Sequence, residues 1–209
     1  IVLREDGTLD KYEGDAIIAF WNAPLDIPHH ERRAARAAVD CLKRLNELRP
    51  EFEQKLGISP YMRIGIHSGE ATVGNFGSGQ RFDYTVIGDT ANLASRLEGL
   101  NKMFGTAAMV SEDTERELDD TILRRYIGTI QVVGRKQPVR VFELLTDGID
   151  IDAEGFSEAL ALFEERKWEE AQKKFLTLEN DPVAKAYLVR IESELSLPER
   201  DPIWRMTKK

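Results

Sequence analysis

Apolar positions along this chain follow two rhythms that alternate from segment to segment. In LDKYEGDAIIAFW, residues suited to strands flank Gly14 and Asp15, so residues 1–22 predict strand, tight turn, strand. NAPLDIPHH, with Pro24 and Pro28, then reads as a turn-rich link. Over residues 30–49 the period lengthens. Ala35, Ala38, Val39, Leu42 and Leu45 recur at helical spacing opposite Arg, Lys and Glu, which predicts an amphipathic helix. Residues 61–75 return to alternation around Gly69 and predict a second hairpin, followed by NFGSGQRFDY as a polar, Gly-rich loop. A helix is predicted over 89–103, with Asp89 or Thr90 as its cap and Gly105 as its stop. Residues 107–110 predict a short strand and SEDTEREL a capped helix. Residues 121–133 and 139–145 predict two strands joined by a turn holding Gly134 and Pro138. Strands and helices mix irregularly. The pattern therefore predicts an α+β sandwich around a mainly antiparallel sheet, not a doubly wound parallel one.

The rhythm changes again after residue 146. A linker is expected over 147–155, and three helical stripes follow: Phe156, Ala159, Leu160, Phe163; then Trp168, Ala171, Phe175, Leu178; then Ala184, Leu188, Ile191, Leu195. The organisation expected is a domain over 1–146 and a helical tail over 156–209. The tail resembles a single tetratricopeptide-like unit, fewer than the three repeats such arrays need to stand alone. It is expected to pack on the main domain or to serve as an interaction surface.

Composition narrows the chemistry. The 209 residues carry 42% hydrophobic positions, enough for a core and against a disordered chain. No apolar run approaches the roughly 20 residues of a membrane span. A net charge of −8 argues against a broad nucleic-acid surface, so any polyanion bound must meet a local pocket of positive charge. A lone cysteine, Cys41, excludes an internal disulfide and reads as a small core residue within the 30–49 helix. Ile1 at the start, where a natural polypeptide has Met, and the absence of a signal-peptide pattern suggest a piece of something longer.

Two segments carry candidate chemistry. Asp15 sits beside Gly14 on a tight turn, either a plain surface turn or a rigidly held carboxylate able to grip Mg²⁺. Asn92 and Arg96 lie four apart on one helix face, either a polar stripe facing water or an amide and guanidinium poised for a ribose and a phosphate. His67, in IGIHSGE, reads as structural.

Taken together, DKYEGDAIIAFW, RIGIHSGEATVGNFGS and FDYTVIGDTANLASRLEGLNK resemble the catalytic domain of class III adenylate and guanylate cyclases, in the family's order and nearly its spacing, over residues 1–146. The resemblance implies a ferredoxin-like sandwich lacking its first elements. It implies two divalent metals, Mg²⁺ or Mn²⁺, with Asp15 at one of the two metal-binding aspartate positions. The other belongs to an upstream Asp-Ile-x-Gly-Phe-Thr-like strand that this sequence does not contain. Lys11 and Thr85 match the purine-reading positions, in the combination typical of bacterial adenylate cyclases. Lysine donates to the adenine ring nitrogen that guanine protonates, and threonine accepts from the exocyclic amine. Asn92 matches the ribose-orienting asparagine and Arg96 the arginine that stabilises charge on the α-phosphate. VVGRKQPV resembles the family's Val-Lys-Gly-Lys-x-x-Pro-Val, with Val133 in place of the first lysine and Arg135 of the second, near the triphosphate. The implied reaction converts ATP to 3′,5′-cyclic AMP and pyrophosphate. The implied assembly is a cytoplasmic homodimer with sites across its interface, without nucleic acid, in a parent that carries a sensor or membrane module. Competing readings are a guanylate cyclase, a non-catalytic nucleotide-binding or dimerisation module, and a scaffold centred on the helical tail.

Overall fold

A computed structural model describes residues 1–78, 81–146, 151–197 and 199–206. After a short 3-10 turn at Val2–Glu5, β1 (Thr8–Glu13) and β2 (Ala16–Phe20) form the first predicted hairpin, and Gly14 supplies the left-handed turn residue at φ 63°. Helix α1 (His30–Leu56) outruns its expected end at Pro50. Proline withholds one helical N–H, but the residues beyond it are good helix formers, and Lys55 Nζ pairs with Glu51 at 2.8 Å one turn back.

The second predicted hairpin does not form around Gly69. The alternating stretch splits: β3 (Ile64–Ile66) pairs elsewhere, and β4 (Thr72–Ser78) pairs antiparallel with β5 (Arg81–Ile87), from Thr72 opposite Ile87 to Ser78 opposite Arg81. Most of the expected polar loop is therefore a strand ribbon; its residues 79–80 lie outside the described ones. Helix α2 (Asp89–Phe104) ends at Gly105 as expected, but neither Asp89 nor Thr90 caps it. The N-cap is Gly88, and the Thr90 hydroxyl donates instead to the Glu70 carbonyl. Strand β6 (Ala108–Ser111), the single turn α3 (Glu112–Glu115), β7 (Arg124–Gln131) and β8 (Val139–Leu144) follow. The last helices are α4 (Ala153–Glu164), α5 (Trp168–Phe175) and α6 (Pro182–Glu194), and β9 (Trp204–Arg205) closes the order.

The main sheet runs β3-β6-β8-β7-β9; β8 pairs antiparallel with both neighbours, while β3 and β9 join at the edges in parallel. Alternation along the strands separates two cores. Ala108, Val110, Phe142 and Leu144 face the small-residue side of α1, built from Ala35, Ala38 and Leu42. Met109, Ile127, Ile130 and Val141 face the opposite way, toward Leu93, Leu97, Leu100 and Phe104 of α2. At Gly65 the backbone of α2 crosses β3 so closely that a Cβ would lie 2.1 Å from the Ala94 carbonyl oxygen, so only glycine allows this crossing.

The three C-terminal helices share that second core. Phe156, Phe163, Trp168, Phe175, Tyr187 and Ile191 are buried in one continuous cluster with α2 and β7. Polar ties fix the same interface. Arg125 of β7 forks onto Asp181, meeting Oδ1 at 2.9 Å, and donates to Glu143 at 2.7 Å. Asp181 also caps α6 by accepting from the Val183 and Ala184 amides.

Candidate active site

Helix α2 and the turn between β7 and β8 bring one group of candidates together. Asn92 lies exposed in the first turn of α2, and Arg96 one turn further along the same face. The Arg96 guanidinium lies under the Val132–Arg135 turn, where a Cβ on Gly134 would come within 3.3 Å of Nη2. Its Nη1 is buried with no hydrogen-bond partner among the described residues. A buried guanidinium N–H without an acceptor is costly, and an anion in the site would supply one. Arg135 lies beside it, its Nε 3.3 Å from the Asp89 carboxylate at the start of α2. The Gln131 side-chain amide holds the turn by donating to the Arg135 and Lys136 carbonyls at 3.1 and 3.0 Å. Asn92, Arg96 and Arg135, expected together from sequence, are thus neighbours around one α2 face and one turn.

The hairpins carry a second group of candidates. Lys11 on β1 and Thr85 on β5 meet at a residue the sequence reading passed over, Asp10. The Thr85 hydroxyl donates to Asp10 Oδ2 at 2.5 Å, and Lys11 Nζ stands 3.5 Å from Oδ1. Thr85 is buried and Lys11 half-buried. Asp15, by contrast, stands exposed on the hairpin tip. Among the described residues no group of three or more His, Cys, Asp or Glu side chains converges on a common point. One tip carboxylate does not fit a two-metal centre, so these residues by themselves do not build one.

His67 serves structure. Its Nδ1 lies 2.7 Å from the Ser111 hydroxyl, and burial pushes its pKa below the ordinary value, outweighing the opposing pull of Asp113. Burial likewise raises the Cys41 thiol, which disfavours its reactive thiolate form. Asp10 and Gln131 are the site residues that no motif singles out, while Asp89 and Gly134 are legible in the sequence only as a cap candidate and a turn residue. Asp10 carried one legible signal, an acid inside a strand directly beside the lysine of interest.

Residues 9–145 match the adenylate and guanylate cyclase catalytic domain, and the chain belongs to that family. Among curated relatives, it is 36% identical over 146 residues to adenylate cyclase 1 of Rhizobium meliloti, covering 69% of this chain and 22% of that protein. It is 35% identical over 143 residues to an adenylate cyclase of Anabaena cylindrica, covering 66% of this chain and 28% of that one. The chain thus spans less than a third of these relatives. Among solved structures, the adenylyl cyclase CyaB of P. aeruginosa superposes with a TM-score of 0.62 at 32% identity, covering 71% of this chain and 76% of that chain. The guanylyl cyclase Cya2 superposes at 0.61 with 29% identity, covering 73% and 76%. The α+β architecture of the chain is that of this family.

Proposed function

We propose that this domain is the catalytic part of an adenylate cyclase. The ribose 3′-oxygen of ATP attacks the α-phosphorus, the hydroxyl proton is lost, and the bond to the β-phosphate oxygen breaks to give 3′,5′-cyclic AMP and pyrophosphate. The observation that carries this reading is the buried Nη1 of Arg96, without a hydrogen-bond partner among the described residues, on the same α2 face as Asn92 and under the turn that carries Arg135. In the reaction Asn92 orients the ribose. Arg96 meets the charge that grows on the α-phosphate in the transition state, and Arg135 meets the outer phosphates. Lys11 donates to the adenine ring nitrogen, and Thr85 accepts from the exocyclic amine.

The exposed Asp15, a carboxylate suited to a divalent ion such as Mg²⁺ or Mn²⁺, lies in this reading at a site shared with a second copy of the chain. One subunit contributes Asp15, and the other contributes Lys11, Thr85, Asn92 and Arg96. Exposed Tyr12, Ile17, Phe82 and Ile87 on the hairpins are apolar surface available for that association. Specific activity then rises with protein concentration.

The test is product analysis of the full-length protein incubated with ATP and Mn²⁺. Cyclic AMP is expected, and Arg96→Ala lowers kcat by about 100-fold or more. No cyclic AMP, or unchanged turnover in Arg96→Ala and Lys11→Ala, overturns the reading. Similarity to a guanylyl cyclase supports GTP as the rival substrate. Lys11 opposes it, because its ammonium meets the N–H of guanine donor to donor. Cyclic GMP formed in excess over cyclic AMP decides for the rival.

A further inference from the structure

Asp10 occupies an irregular point in β1. The register with β2 runs Leu9 opposite Ala19, then Lys11 opposite Ile18, so Asp10 is the extra residue of a β-bulge. In a regular strand neighbouring side chains point to opposite faces. The bulge relaxes that rule and lets the Asp10 carboxylate reach both Thr85 on β5 and the ammonium of its own neighbour, Lys11. The Asp10 side chain is 2% exposed. Its Oδ1 has no hydrogen-bond partner among the described residues, and Lys11 Nζ stands 3.5 Å from it. Burying a carboxylate in this way is expensive unless the charge is used.

We infer that Asp10 is a positioning residue that sets the purine preference of the site by fixing the polarity of the Thr85 hydroxyl. A threonine hydroxyl is ambidextrous, with one O–H to donate and lone pairs to accept. Left free, it donates to the O6 of guanine as readily as it accepts from the 6-amino group of adenine. Asp10 removes that freedom. A carboxylate only accepts, so the Thr85 proton is committed to it and the side facing the base is left with lone pairs. The same carboxylate holds the Lys11 ammonium, which presents donors to the adjoining ring nitrogen. Acceptor beside donor is the complement of adenine and the inverse of guanine. Neither Lys11 nor Thr85 alone imposes this on a rotatable hydroxyl; the bulged aspartate does.

This inference rests on the base-reading roles proposed for Lys11 and Thr85, and the experiment separates the two. ATP and GTP are compared on the full-length protein by kcat/KM and by equilibrium binding, for the wild type, Asp10→Ala and Asp10→Asn, with thermal unfolding measured on each. The wild type tests the roles: preference for ATP supports them, and preference for GTP or binding of neither overturns both them and the inference. Asp10→Ala tests the inference. The ATP:GTP ratio is expected to fall tenfold or more, largely through improved use of GTP. Asp10→Asn is expected to restore most of the ratio, because its amide oxygen still accepts the Thr85 proton. A folded Asp10→Ala that keeps the wild-type ratio within twofold, or an Asp10→Asn no better than alanine, overturns it. If Asp10→Ala does not fold, Asp10→Asn combined with Thr85→Val decides. Thr85→Val lacks the hydroxyl, so Asp10→Asn in that background is expected to leave the ratio unmoved, and any further shift overturns the inference.

Discussion

His67 links one buried nitrogen heterocycle to the acid stability of the fold. Its side chain is 6% exposed, its Nδ1 is engaged with Ser111, and Asp113 lies 3.9 Å away. Burial holds its pKa below the ordinary 6.5, with Arg135 adding to the depression and Asp113 and Asp89 opposing it. The unfolded chain therefore binds the proton first as pH falls. The stabilising contribution of the neutral imidazole is complete above the unfolded pKa near 6.5 and is lost as pH drops below that value through the folded pKa. Unfolding temperature measured from pH 8 to 5 is expected to fall below about pH 6.5, and His67→Gln to flatten part of that fall. Arg96 makes the complementary demand at the same scale: its buried Nη1 has no hydrogen-bond partner among the described residues, and an anion would supply one.

At the scale of elements, the junction between β7 and α6 turns on one glycine. Gly128 has φ 134°, and a Cβ there would lie 2.2 Å from the hydroxyl of Tyr187, which donates to the Ile127 carbonyl at 2.8 Å. Two penalties coincide, a backbone conformation hostile to L side chains and a clash with a fully buried ring. Gly128→Val is expected to cost about 3 kcal/mol or more and Tyr187→Phe about 1 kcal/mol, both read from denaturant unfolding. Nothing local announces such a junction. Residues were legible where the signal was short-range: Gly14 at the first hairpin, Gly105 at the end of α2, and the apolar stripes of α4, α5 and α6. The hairpin expected at Gly69 failed because alternation reports a strand but not its partner. The partner of β3 is β6, more than forty residues away, and Gly74, Asn75, Gly77 and Ser78 of β4 mimic a loop. The site divides in the same way. Lys11, Thr85, Asn92 and Arg96 lie in motifs, whereas Asp10 needs a bulge and Gln131 a returning turn before either has a purpose.

At the scale of the whole molecule, the sheet and the C-terminal helices are joined through a buried ionic triad. Arg125 is 7% exposed and lies between Asp181 and Glu143. Burial raises the Glu143 carboxyl, while its arginine partner opposes the rise. Arg125→Met strands two buried acids and is expected to cost about 3–5 kcal/mol, measured as a shift in the urea midpoint. The triple variant with Glu143→Gln and Asp181→Asn recovers part of that loss, because no unpaired charge remains. We propose on this basis that the helices over α4–α6 act with the cyclase domain as one folding unit. Their core residues are continuous with α2, the helix that carries Asn92 and Arg96.

The pairing of β9 with β7 also bears on aggregation. A sheet is vulnerable where a strand offers unpaired amides and carbonyls to a neighbouring molecule. On the outer side of β7, the Ile127 carbonyl accepts from Tyr187, Trp204 and Arg205 pair beside Ile130 and Gln131, and the Met206 amide donates to the Gln131 carbonyl at 2.9 Å. The opposite border is β3, only three residues long. Among the described residues, neither border of the main sheet offers a long open ladder, which limits edge-to-edge pairing between molecules.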